Sequence, residues 1–127
     1  MIIKLAKNFN VHEFDCKDKE GTKVPEELYV NRQTLANQLQ VIRDAIDEPL
    51  HINSAYRTKS HNKAVGGKKN SYHLRCMAAD ITAKNFTAGE LGDLIQDLME
   101  KGEIMKGGVG VYKGFIHYDI RGYETQW

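Results

Sequence analysis

Residues 107–121 read G-G-V-G-V-Y-K-G-F-I-H-Y-D-I-R. Two largely apolar runs flank Lys113-Gly114, the pattern of two antiparallel strands joined by a tight turn. The reading predicts strands over 107–112 and 115–121. Side chains alternate along a strand, so Phe115, His117, Asp119 and Arg121 share one face. Ile116, Tyr118 and Ile120 share the other, which is apolar enough to face a core. A histidine and a carboxylate then project together from a strand backed by packing, the kind of element that holds a site rigidly. The plainer reading is the exposed polar face of an edge strand.

Helical and strand patterns alternate around this hairpin. Leu35, Leu39, Ile42 and Ile46 recur at steps of four, three and four, which predicts a helix over 32–46 with one apolar face. Pro49 is expected to stop it. Residues 50–56, L-H-I-N-S-A-Y, alternate as a strand. Residues 58–65 suit a short helix capped by Thr58 and ended by Gly66-Gly67. Residues 77–82 suit a short buried strand. Thr87 and Glu90 form a capping box ahead of Leu91, Leu94, Ile95, Leu98 and Met99, the buried face of a second long helix closed by Gly102. Asn10 and Glu13 mark a short helical turn, and residues 15–25 a polar surface loop. The expected class is α+β, two main helices on a small, mainly antiparallel sheet, in one domain over 1–127.

A chain of 127 residues buries enough apolar surface to fold without a disulfide or structural metal. Its formal net charge of +1 gives no ground for nucleic-acid binding. No apolar run approaches the ~20 residues of a membrane helix, and no secretory signal is evident. Synthesis in the cytoplasm is the expectation, with a monomeric protein. Cys16 and Cys76 form neither a disulfide framework nor a C-x-x-C pair, and Cys16 reads as a small core residue. Lys68 and Lys69, beside Gly66-Gly67, read as a solvated loop tip, with a binding patch as the alternative.

Five histidines are present: His12, His51, His61, His73 and His117. A catalytic zinc site needs three ligands drawn from His, Asp, Glu and Cys. Asp80 lies in the apolar run A-A-D-I-T and needs a partner if buried. His73 precedes it by seven residues. A metal pair and a salt-bridged structural aspartate both satisfy that spacing. Arg57 could grip a carboxylate or a developing oxyanion, or form an ordinary surface ion pair.

Taken together, S-A-Y-R-T-K-S-H-N-K-A-V-G-G-K-K-N-S-Y-H, A-A-D-I, G-G-V-G-V-Y and F-I-H-Y-D-I-R-G resemble the D-alanyl-D-alanine carboxypeptidase-type zinc peptidases, which include phage endolysins. The resemblance runs from about residue 9 to 127. It implies the small α+β fold related to the zinc domain of hedgehog proteins. It implies zinc held by His73, Asp80 and His117, with Ser71 supporting the ligands and Arg57 contacting substrate carboxylate or the tetrahedral intermediate. The implied substrate is a D-amino-acid-containing peptide of bacterial peptidoglycan, cut by carboxypeptidase or endopeptidase action. A phage or prophage lytic enzyme, reaching the wall after release or export, fits this picture.

The sequence departs from the family pattern twice. Relatives often carry an acid as general base three residues before the last ligand, where this chain has Gly114. Asp119 is the substitute candidate, or else a residue that orients a ligand imidazole. Relatives also often carry Gly where this chain has Cys76. A thiol there is either a fourth ligand that closes the site or a small packed residue. Two rival readings follow: a non-catalytic zinc-binding module recognising wall peptide or a protein partner, and a metal-free structural domain.

Overall fold

The hairpin is present and sits near the middle of the sheet. In a computed structural model that describes residues 3–127, β5 (Gly108–Tyr112) and β6 (Phe115–Asp119) pair antiparallel, with Gly110 opposite His117 and Tyr112 opposite Phe115. Gly114 turns the chain at φ +91°, a conformation that suits glycine. β3 (His51–Ser54) and β4 (Ala78–Thr82) extend the sheet on the β6 side, and β7 (Thr125–Gln126) pairs parallel with β5 on the other. The order is β3-β4-β6-β5-β7. A two-stranded ladder, β1 (Lys4–Ala6) with β2 (Phe9–Asn10), lies apart from it.

Three α-helices complete the α+β domain: α1 (Tyr29–Ile46), α2 (Lys59–Ala64) and α3 (Ala88–Glu100). The predicted apolar faces form the core. Leu35, Leu39, Ile42 and Ile46 of α1 and Leu91, Ile95, Leu98 and Met99 of α3 join Ile81, Val109, Ile116 and Tyr118 of the sheet in one buried cluster. Burying each Leu or Ile is worth roughly 1.5–3 kcal/mol relative to exposure. The apolar side of β6 therefore holds the strand against the helices and leaves its other face to the site.

Local signals mostly act as expected. Asn10 and Glu13 form a capping box on a 3-10 turn, Val11–Phe14, and Thr87 and Glu90 form one on α3. Thr58 Oγ1 caps α2 by accepting from the His61 N–H. Cys16 is buried. Some boundaries differ. α1 begins three residues early, at Tyr29, because a 3-10 turn, Glu26–Leu28, leads into it. Pro49 does not end it: Asp47, left-handed at φ 53°, already turns the chain and donates its N–H to the Arg43 carbonyl. The strand expected over 50–56 pairs only over β3, because the chain leaves the ladder to carry Arg57 towards His73; Arg57 N–H donates to the His73 carbonyl at 3.0 Å. Strand β6 likewise stops at Asp119.

Candidate metal centre

Register brings two of the expected ligands together. Asp80 on β4 lies directly opposite His117 on β6, and Ser54 on β3 opposite Asp80. The third arrives on the 3-10 turn Tyr72–Arg75, which Ser71 caps: its Oγ accepts from the His73 N–H at 3.2 Å. His73 Nε2 is 3.3 Å and His117 Nδ1 3.2 Å from the same Asp80 Oδ1. One ligand atom from each residue lies within 4.8 Å of the others, and all three side chains are buried.

The proton positions on the two rings follow from what lies behind them. His73 Nδ1 is 2.6 Å from the Ala55 carbonyl, which can only accept, so Nδ1 carries the hydrogen. His117 Nε2 is 2.8 Å from Asp119 Oδ2. Asp119 is a carboxylate with no exposure, gripped by Arg121 through Nε at 2.9 Å and Nη2 at 2.8 Å, and by the Gly108 N–H at 2.9 Å. It too can only accept. In their neutral forms both imidazoles therefore aim lone pairs at Asp80. Three converging acceptors need a cation between them, and imidazoles anchored from behind by a carbonyl and a carboxylate are how proteins hold one. The residues fit a metal ion with two nitrogen ligands and one oxygen ligand.

The electrostatics agree. Burial alone pushes the Asp80 carboxyl up, but in the metal-free site His117 and His73, when protonated, donate to it and outweigh burial, holding the group well below the ordinary carboxylate range. The same balance, with Arg121 and the Gly108 N–H added to His117, keeps Asp119 ionised. Burial pushes the His117 imidazolium down, yet Asp119 and Asp80 together raise its pKa above the usual value. Without a metal, the extra positive charge the site seeks is a second proton on His117.

Arg57 stands at the edge of the trio. Its Nε donates to Ser54 Oγ at 3.1 Å, Nη1 to Asn62 Oδ1 at 3.2 Å and Nη2 to Asp80 Oδ2 at 3.1 Å. A guanidinium has five N–H groups, so about two remain for a ligand. Arg57, His73, Asp80 and His117 all line one cleft of about 790 Å³. The other histidines stand apart: His12 pairs with Asp15, His51 is exposed on β3, and His61 lies on α2.

The two departures from the family pattern have structural accounts. Position 114 is the hairpin tip and does not line the cleft. Cys76 is fully buried within the apolar core, where burial pushes its thiol up to about 12. It ends the His73 turn in the left-handed region, at φ 54°. That backbone accounts for a glycine at this position: only there is the conformation free of a Cβ clash.

Lys68 and Lys69 are exposed, as expected of a loop tip, and they also line the cleft that holds His73, Asp80 and His117. Sequence reasoning missed the opposite wall. Trp127 sits 5.1 Å from the His117 ring, and its Nε1–H donates to the Tyr112 hydroxyl at 2.6 Å. Tyr112 stacks on Phe115 with 4.8 Å between ring centres. The glycines of G-G-V-G carried the only signal. A Cβ on Gly110 would lie 2.5 Å from the Trp127 indole, and one on Gly108 2.5 Å from Asp119 Oδ2. Missing side chains in a central strand mark places where something else approaches.

Two imidazoles and one carboxylate converge at the floor of a solvent-reached cleft, a group able to hold one metal ion. The chain belongs to the Peptidase M15 family, the zinc D-Ala-D-Ala carboxypeptidase type, whose model matches residues 7–119. That makes it a member of a metallopeptidase family, with a peptide as substrate. The match contains all three converging residues and stops short of Trp127. No curated protein matches the chain. Among the described residues, no helix is long and apolar enough to cross a membrane.

Proposed function

We propose that the protein is a zinc peptidase that hydrolyses a peptide bond in bacterial peptidoglycan, in a D-amino-acid-containing stem peptide or cross-link. The observation that carries this reading is the convergence of two proton-free imidazole nitrogens and Asp80 Oδ1 at the floor of an open cleft. Zinc, when bound, supplies Lewis acidity to a carbonyl and to water at neutral pH. His73, Asp80 and His117 would hold it.

The rest falls to the chain's own residues. Asp119 keeps the Nε2 hydrogen on His117 and so keeps Nδ1 free. With no exposure and both oxygens engaged, it is better suited to orienting His117 than to taking a proton from substrate water. Ser71 fixes the turn that presents His73. Arg57, with two N–H groups to spare, offers positive charge where an oxyanion develops. A phage or prophage lytic role, on the wall after release or export, rests on the resemblance alone.

A second reading has one observation in its favour. Among the described residues, Asp80 is the only acid lining the cleft, so a free carboxylate base is missing. A zinc-binding module that recognises wall peptide without cutting it needs no such base. Two measurements separate the readings. Metal analysis of freshly purified protein should find about one zinc per chain, and its absence would remove both. Mass spectrometry of purified muropeptides with and without chelator should show chelator-sensitive new products, and none across several wall chemotypes would leave the module.

A further inference from the structure

The walls of the cleft differ in chemistry. Trp127, Tyr112 and Phe115 make one side aromatic, and residues 66–70 make the other basic. Of the four Lys and Arg side chains in the lining, Arg57 pairs with Asp80 and Arg121 with Asp119. Lys68 and Lys69 have no ion-pair partner among the described residues. The whole chain carries only +1, so this surplus of positive charge is local.

Lys68 stands on a fixed base. Asn62, 4% exposed, donates through Nδ2 to the Lys68 carbonyl at 2.8 Å, and the Ser71 N–H donates to the same oxygen at 3.1 Å. The Gly67 N–H donates to the Asn62 carbonyl at 2.8 Å, and the Asn62 side chain occupies the space a Cβ on Gly67 would need. A buried amide thus sets the backbone position of an exposed lysine. The ammonium lies 5.5 Å from the Trp127 ring, across the cleft, and that ring lies 5.1 Å from His117. An extended peptide advances about 3.3–3.6 Å per residue, so Lys68 stands no more than about three residues from the metal-facing imidazole.

We infer that Lys68, assisted by Lys69, forms an anion subsite for the substrate. It takes a side-chain carboxylate within about three residues of the scissile bond, while the carbon chain of that residue lies on Trp127. This rests on the peptidase reading above, and names the class of peptide the cleft prefers: an acidic one. The preference is separate from recognition of a chain-terminal carboxylate.

Trp127 is the only tryptophan, so its fluorescence reports ligand entry without need of turnover. The probes are two pentapeptides ending in D-Ala-D-Ala, identical except for glutamate or glutamine at the second position. Each is titrated into the zinc-loaded protein, and cleavage is followed in parallel by mass spectrometry. The glutamate peptide should bind about 3- to 10-fold more tightly, the range for a partly exposed charge-assisted pair. Added salt should erode that preference. Lys68→Met should abolish it and Lys68→Arg should keep it. Equal binding of the two peptides by wild type, binding of neither, or full preference in Lys68→Met would overturn the inference. Cleavage of both peptides without preference would overturn the subsite and leave the peptidase standing. Preference without cleavage would support the subsite and leave the peptidase reading to the muropeptide digestion described above.

Discussion

The two faces of β6 are built from alternate residues of one five-residue strand, yet opposite rules govern them. Ile116 and Tyr118 face the helices, where volume and apolar area decide what fits. His117 and Asp119 face the other way, where hydrogen-bond direction decides. Both sides are buried, so burial alone does not tell them apart. The difference lies in what each side chain leaves unsatisfied. Tyr118 places its one polar atom on the Met105 carbonyl at 2.7 Å, whereas His117 keeps an unshared nitrogen lone pair aimed at a carboxylate oxygen. One face is complete within the protein, and the other is complete only with a cation.

The sharpest break in that comparison comes from changing neighbours of opposite direction. His117→Ala should abolish stoichiometric zinc binding and peptide hydrolysis while the fold is kept, as judged by metal analysis and circular dichroism. Tyr118→Ala should cost about 3–5 kcal/mol in denaturant unfolding, as expected for emptying a large core position, while leaving all three ligands in place. Zinc retained by His117→Ala would remove that residue from the metal site.

Asp119 tests how far the polar face depends on its backing. Asp119→Asn removes the charge that holds the Nε2 hydrogen on His117 and half of the Arg121 grip. Zinc affinity should fall about 10- to 100-fold, the usual effect of losing such a support, measured by chelator competition. Unchanged affinity with abolished turnover would instead assign Asp119 the role of general base.

The apolar face was the more legible of the two in the sequence. Helical spacing in α1 and α3 and alternation in β6 are local patterns, and burial follows from them directly. The polar face was legible only in part. His73, Asp80 and His117 were each visible as candidates, but spacing could not join residues 73 and 80 to 117. Only the pairing of Asp80 with His117 across β4 and β6 does that. The anchoring of His73 on Ala55 uses a backbone carbonyl, which no side-chain pattern reveals. Trp127 reaches the site because β7 pairs with β5, and a two-residue strand is too short to leave a periodic signal. Lys68 and Lys69 looked like a loop tip because the residues facing them across the cleft are more than forty positions away.

Acidity offers a smaller test. In the metal-free protein His117 has a raised pKa, so the charged form is favoured by folding. Its stabilisation is fully present below about pH 6.5, the ordinary histidine value. It is lost as pH rises through the higher folded-state pKa. Chelated protein should therefore lose melting temperature as pH increases from about 6.5. Zinc binding should strengthen over the same interval, since the metal competes with that proton. Parallel pH profiles of loaded and chelated protein in differential scanning calorimetry would place His117 on the apolar side of the comparison.

Cys76 should give the smallest effect, because it lies where the two sets of rules meet. Its backbone closes the turn that presents His73, while its side chain belongs to the core. Cys76→Gly relieves a left-handed conformation that costs a side-chain-bearing residue roughly 1 kcal/mol. It also removes a small buried group and adds backbone freedom to the unfolded chain, losses of about the same size. The two should nearly cancel, leaving stability within about 1 kcal/mol and zinc affinity unchanged. A thiol held up to about 12 by burial should also resist alkylation in the native protein and react only after unfolding. A clear drop in zinc affinity for Cys76→Gly would make the sulfur a ligand and join the two faces at that residue.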